Sequence, residues 1–192
     1  MQDLIIIGAG GRGREFLECV KEVNKVKQTY NVLGFLSDYD DVLSGFKCDI
    51  EIIGKIHDWK LPKNVKYLLA IDNPQARQRL AEEFIAKGAE FITLISPRAT
   101  IQSFCTIDYG SVILGNSVIL NNTYIGKFNI IAGSTIGDSA KLGDYCNTSG
   151  FTNVTNVTMG DRVYVGSHAV LLNKIKIGND ALIYAGSIVF TN

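Results

Sequence analysis

The sequence predicts two unlike domains, an α/β, Rossmann-like domain over residues 1–95 and an all-β parallel solenoid over residues 96–192. Three observations carry that prediction. In the first half, strand and helix patterns alternate around a glycine-rich loop. In the second, a large aliphatic residue returns every six positions. Charge falls sharply between them: 27 charged side chains lie in residues 1–95 and 11 in residues 96–192, with no Glu after Glu90. Glu is a good helix former, so its absence points away from helix in the second half. The Ser96-Pro97 step marks the change, because proline discourages continuation of the preceding element.

The first half is read in order. Residues 3–7, Asp-Leu-Ile-Ile-Ile, form a buried strand. A glycine loop follows, Gly8-Ala9-Gly10-Gly11-Arg12-Gly13, and then a helix over 14–23 with Phe16, Leu17, Val20 and Val23 on one face. A second strand spans 30–36 and a third 66–71. A second helix covers 74–87, with Ala76, Leu80, Ala81 and Phe84 inward and Gly88 just past its end. A fourth strand is expected over 91–95. Such alternation implies a small parallel sheet flanked by helices.

The second half repeats. Every sixth residue from Ile101 to Ile131 is isoleucine; the phase then slips by one to Ile136, Leu142, Thr148 and Val154. It slips again to Met159, Val165, Leu171, Ile177, Ile183 and Val189. Thr148 is the one polar member. Neither a period of 3.6 nor of 2 produces this pattern. Glycine follows the aliphatic at 126, 137, 143, 160, 166 and 178, and a small residue or Val returns soon after at Ala140, Cys146, Val163, Ala169 and Ala181. The expectation is a triangular prism of about five coils. Each hexad supplies a short strand and a corner, with the aliphatic side chain inside and glycine easing the backbone through the corner.

Composition excludes several roles. The 19 basic and 19 acidic side chains cancel, which argues against general attraction to nucleic acid or anionic membrane. No apolar run approaches the ~20 residues that span a bilayer. Met1-Gln2-Asp3 lacks the basic start of a secretory signal. The four cysteines are scattered without metal-binding spacing and read as reduced cytoplasmic thiols. The Asn-x-Thr/Ser triplets from Asn121, Asn147, Asn153 and Asn156 then read as turn residues rather than sugar acceptors.

The glycine loop follows a strand and opens a helix, the context in which amides hold a diphosphate. Its bland reading is a tight turn. A redox dinucleotide site is disfavoured, because the domain is small and Asp38-Tyr39-Asp40-Asp41 reads as a turn. A sugar-nucleotide suits the size better, with Asp38 placed to contact the nucleoside.

Several stretches together resemble the PglD/NeuD-type sugar acetyltransferases: residues 5–15, Gly34-Phe35-Leu36-Ser37-Asp38, Ala70-Ile71-Asp72-Asn73 with 77–81, and 93–99, completed by the hexads. The resemblance covers nearly the whole chain. It implies a left-handed parallel β-helix, a homotrimer, and acetyl-CoA bound between neighbouring subunits. It also implies a nucleotide-linked amino sugar, or in the sialic-acid branch a sugar, held by Gly8, Gly10, Gly11, Arg12, Asp38 and Asn73, in bacterial surface glycan synthesis. Gly166 and Gly186 fall where resembling enzymes bring backbone close to the pantetheine arm.

The departures concern catalysis. The family's catalytic His falls at Asp138, its acidic neighbour at Ser139, a second His at Asn147 and a third at Ser96. A carboxylate is ordinarily a weaker base than imidazole. His57 reads as structural. His168 reads either as a solvated corner residue or as a displaced base brought to a neighbour's groove in a trimer. Asp138, Asn147 and His168 are therefore the catalytic candidates. The family's Gly-x-Pro-Ala-Lys-like element does not follow the last hexad, so either the tail is truncated or the CoA site is incomplete. The leading expectation is direct acetyl transfer without an acyl-enzyme. The alternatives are a non-catalytic sugar-nucleotide-binding relative and a transferase using another acyl donor.

Overall fold

The computed structural model describes residues 1–172 and 174–191. The chain divides into two compact units, Met1–Ile92 and Thr93–Asn192. Among the described residues no helix is long and apolar enough to cross a membrane, and Cys19, Cys48, Cys105 and Cys146 are all thiols.

The first unit runs β1 (Gln2–Ile7), α1 (Gly11–Val26), β2 (Tyr30–Leu36), β3 (Ile52–Gly54), β4 (Lys66–Leu69), α2 (Pro74–Ala86) and β5 (Glu90–Phe91). The sheet order is β3-β2-β1-β4-β5, with every neighbouring pair parallel. Leu4, Ile5, Ile6 and Ile7 are all buried, as expected of a central strand covered on both faces. Phe16, Leu17 and Val20 of α1 and Ala81 and Phe84 of α2 complete the core. Phe84 meets the Tyr67 ring edge-on, centroids 5.9 Å apart. Asn73 caps α2, its Oδ1 accepting from the Ala76 amide at 2.8 Å, and Pro74 follows at the first turn.

The expected strand over 91–95 is two strands. Phe91 ends β5, whereas Leu94 and Ile95 form β6 and pair with Val112 and Ile113 in the second unit. A run of apolar residues does not reveal where the chain leaves one sheet for another.

The second unit consists of two-residue parallel strands from β6 (Leu94–Ile95) to β22 (Ile188–Val189), arranged in three sheets of six, five and six strands. The second residue of each strand from Ile101 onward is the aliphatic column read from the sequence. Ile113, Ile119, Ile125, Ile131, Ile136, Val154, Val165 and Leu171 are fully buried in one core. The phase slips set the register. Val118 pairs with Thr100, 18 residues back, and with Thr135, 17 residues on, across the five-residue step from Ile131 to Ile136.

At several strands the residue just ahead is polar and buried, and backbone carbonyls satisfy it. Ser111 Oγ donates to Gly126 O at 2.7 Å, Thr123 Oγ1 to Gly137 O at 3.0 Å and Asn129 Nδ2 to Gly143 O at 2.8 Å. Thr148 is 1% exposed in the aliphatic column, and its Oγ1 finds no hydrogen-bond partner among the described residues.

The expected role of glycine at the corners is corrected. Left-handed corners recur from Phe104 to Gly186 with the same spacing and slips as the aliphatic column. Only Gly110, Gly133 and Gly186 among them are glycine; the others include Asn122, Phe128, Tyr145, Phe151, Arg162 and His168. A left-handed non-glycine residue costs roughly 1–2 kcal/mol. A ladder between coils offsets that cost: Phe128 N donates to Tyr109 O, Tyr145 N to Lys127 O and Arg162 N to Asp144 O. Five of the six glycines after the aliphatics serve close approach instead, Gly178 having open space about it. A Cβ at Gly143 would lie 2.6 Å from Gly160 O, and one at Gly166 would lie 2.6 Å from Ala185 N.

Candidate functional site

In an open parallel sheet, ligands bind at the strand ends where the chain order reverses. Here the reversal falls between β1 and β4, since β2 and β3 lie to one side of β1 and β4 and β5 to the other. A cavity of about 280 Å³ opens at that point. Its walls are the segments that follow three strands: residues 8–12 after β1, 37–39 after β2 and 70–72 after β4, with Val42 and Ile56.

The glycines make that cavity possible. Gly8 has φ +102°, and a Cβ there would lie 2.7 Å from Ala70 O. A Cβ on Gly13 would fall 2.0 Å from Gly8 O, so α1 approaches the β1 loop only because Gly13 has none. Gly10 caps α1 without a side chain, and Gly11 opens the helix. Neither would meet anything within 4 Å of an added Cβ. The exposed amide end of α1 thus faces open space suited to an anion.

Arg12 stands beside it. Its Nε donates to Asp72 Oδ1 at 2.7 Å, and its Nη1 pairs with Glu15. Arg77, 1% exposed, donates to the carbonyls of Ile71 at 2.6 Å and Asp72 at 3.1 Å. It thereby fixes the loop that holds Arg12.

Asp38 closes the other side. Its Oδ1 accepts from Ile56 N at 2.8 Å and His57 N at 3.3 Å, and lies 2.8 Å from His57 Nδ1. Partial burial alone would raise the Asp38 carboxyl, but the hydrogen bonds from the His57 ring and the two amides together hold it below its ordinary range. His57 is raised above its ordinary value, first by its hydrogen bond to Asp38 and then by the charge of Asp58, while Lys55 opposes the shift.

The structure gathers Gly8, Gly10, Gly11, Arg12 and Asp38 around one cavity. Asn73 is not among its walls; its side chain is engaged as the α2 cap. Ser37, Tyr39, Val42 and Ile56 also line the cavity, though no sequence motif marks them as site residues. The rule that parallel strands present ligand loops at their carboxyl ends was the available signal.

In the second unit the catalytic candidates lie apart. Asp138 follows Ile136 at an exposed corner, where Ser139 Oγ donates to its Oδ2 at 2.8 Å. That corner is laddered to Asn121, whereas His168 lies on the corner laddered to Gly150. The His168 ring stacks on exposed Phe151, centroids 5.0 Å apart. Asn147 is 2% exposed and starts the strand Asn147–Thr148. Ser96 is buried, its Oγ accepting from Arg98 N at 3.1 Å. Gly166 packs against Ala185, while Gly186 has φ +72° and open space about it.

Comparison with known proteins places this geometry. The PglD N-terminal domain model matches residues 3–84. GDP-perosamine N-acetyltransferase of Escherichia coli O157:H7 is 33% identical over 110 residues, which is 56% of this chain and 49% of that protein. The match therefore spans about half the length of that relative.

The acetyltransferase domain of PglB from Neisseria gonorrhoeae FA1090 superimposes with a TM-score of 0.88 at 23% identity, covering 100% of this chain and 93% of its own. The same domain with acetyl coenzyme A gives 0.84 at 22%, covering 98% and 92%. PerB from Caulobacter crescentus, in complex with CoA and GDP-perosamine, gives 0.84 at 19%, covering 100% and 92%. Residues 3–84 match the PglD N-terminal domain model, and the chain as a whole has the fold of the PglB and PerB acetyltransferase structures.

Proposed function

We propose that this chain transfers the acetyl group of acetyl-CoA to the amino group of a nucleotide-linked amino sugar in bacterial surface glycan synthesis. The cavity at the β1/β4 reversal carries the reading, with helix amides and Arg12 beside open space and a carboxylate opposite. The 33% identical relative, a GDP-perosamine N-acetyltransferase, and a neighbour holding CoA with GDP-perosamine support the same chemistry. Residues 1–95 would hold the nucleotide and residues 96–192 the donor, in a cytoplasmic homotrimer. Gly10 and Gly11 amides and Arg12 take the diphosphate, with Arg12 exchanging Asp72 for phosphate oxygens. Asp38 takes the nucleoside. Gly186, with open space, suits the pantetheine arm better than Gly166, whose space is filled by Ala185.

The amine attacks the thioester carbonyl directly. The C–N bond forms, the C–S bond breaks, and CoA leaves as the thiol with the proton the amine loses. Asp138 accepts a hydrogen bond from the attacking amine, orients it, and relays the proton it loses to the departing thiolate.

A second reading, a non-catalytic sugar-nucleotide binder, draws support from Asp138 and Asn147 standing where resembling enzymes carry His. Thiol release from acetyl-CoA separates the two. The enzyme reading expects turnover that falls at least about 100-fold in Asp138→Ala, the scale of a lost acid–base group. Tight nucleotide binding with no thiol release favours the binder, and an unchanged Asp138→Ala rate removes Asp138 from the chemistry.

A further inference from the structure

At the rim of the cavity, one oxygen of a carboxylate is tied and the other is not. Asp38 Oδ1 takes all three protein contacts, from Ile56 N, His57 N and His57 Nδ1. Among the described residues Oδ2 has no partner, and Asp38 lines the cavity. The His57 ring also reaches Asp58, with Nε2 2.9 Å from Oδ2. A neutral imidazole carries one N–H and can donate to only one of two carboxylates. Contact with both is the geometry of an imidazolium.

We infer that His57, as the imidazolium, is a positioning residue that turns Asp38 Oδ2 toward donor groups of the nucleoside, so that nucleotide binding is coupled to a proton on His57. The inference rests on the cavity being a nucleotide site. The donors are the ribose hydroxyls or the N–H groups of the base, both of which a carboxylate oxygen accepts. The charged groups facing His57 are Asp38 and Asp58, which favour its proton, and Lys55, which opposes it. Lys55 itself donates to Asp38 O and pairs with Asp40. Because the His57 pKa is raised, both contacts are complete below its ordinary value and one is lost as pH rises through the raised one.

The test is calorimetry of GDP, 2′,3′-dideoxy-GDP and inorganic pyrophosphate binding to the full chain and to His57→Gln, from pH 5.5 to 8.5. The ratio of wild-type to variant affinity cancels the titration of the ligand itself. For GDP that ratio should be roughly fivefold at low pH, the scale of an exposed ion pair, and fall toward one at high pH. For pyrophosphate it should stay near one throughout. Loss of the pH-dependent ratio with the dideoxy ligand assigns the donor to the ribose, and its retention assigns it to the base; both support the coupling. GDP binding with a flat ratio of one overturns the coupling and leaves the nucleotide site standing. Absence of GDP binding together with retained pyrophosphate binding overturns the nucleoside reading and the coupling with it.

Discussion

The two units use glycine in opposite ways. In residues 1–92 it makes single, unrepeated contacts possible: Gly13 lets α1 sit against the Gly8 carbonyl, and Gly8 turns the chain beside Ala70. In the solenoid the left-handed corners are repeated, and most are held by residues other than glycine, most of these supported by a backbone ladder. A unique loop thus depends on the identity of a few residues. A repeated corner depends on its neighbours above and below, as expected of a solenoid whose stability sums over adjacent coils.

The largest expected break in this comparison is Gly13→Val. Its Cβ would stand 2.0 Å from a main-chain oxygen that cannot swing aside. Thermal denaturation should show a loss above about 3 kcal/mol, with nucleotide binding lost as well. A loss under about 1 kcal/mol would show that α1 moves freely and that Gly13 is not needed. Next is Ile136→Ala in the solenoid core, expected to cost about 2–5 kcal/mol in chemical denaturation. Exposed Tyr124→Ala on a neighbouring sheet should cost within about 0.5 kcal/mol. Equal effects would mean that the aliphatic column is not what holds the coils.

Thr148→Val sharpens the comparison in the other direction. Among the described residues the hydroxyl is buried without a partner, so an isosteric apolar side chain should raise stability by about 1 kcal/mol. A drop would mean that the hydroxyl meets a demand the protein fold does not display. The smallest effect belongs to Gly186→Asn at a left-handed corner, expected to cost less than about 1 kcal/mol because Asn already serves at Asn116 and Asn122. A cost comparable with Gly13→Val would erase the distinction between the two uses of glycine.

The solenoid was the more legible half. Its strands are local, its period is fixed, and even the slips at Ile136 and Met159 appear in the sequence and again in the strand register. The corner conformation was not legible, because the Phe, Tyr and Arg that occupy several corners carry no intrinsic preference for it. In the first unit β1, β2 and α2 were read closely, whereas β3 is only three residues long and left no pattern. Of the site, the glycine loop and Asp38 were visible as motifs. Their partners were not, because Arg12 meets Asp72 60 residues away and Asp38 meets His57 19 residues away. Such pairs are created by the strand order, which periodicity does not encode.

The central claim, acetyl transfer to a sugar held by its nucleotide, is tested most directly by measuring CoA thiol release with nucleotide-linked amino sugars and with the same amino sugars free. The account predicts release with at least one of the UDP-, GDP- or dTDP-linked sugars and a kcat/KM at least about 100-fold lower for the free sugar, since remote binding energy positions the amine. Equal release from linked and free sugars, or none from any, would contradict it.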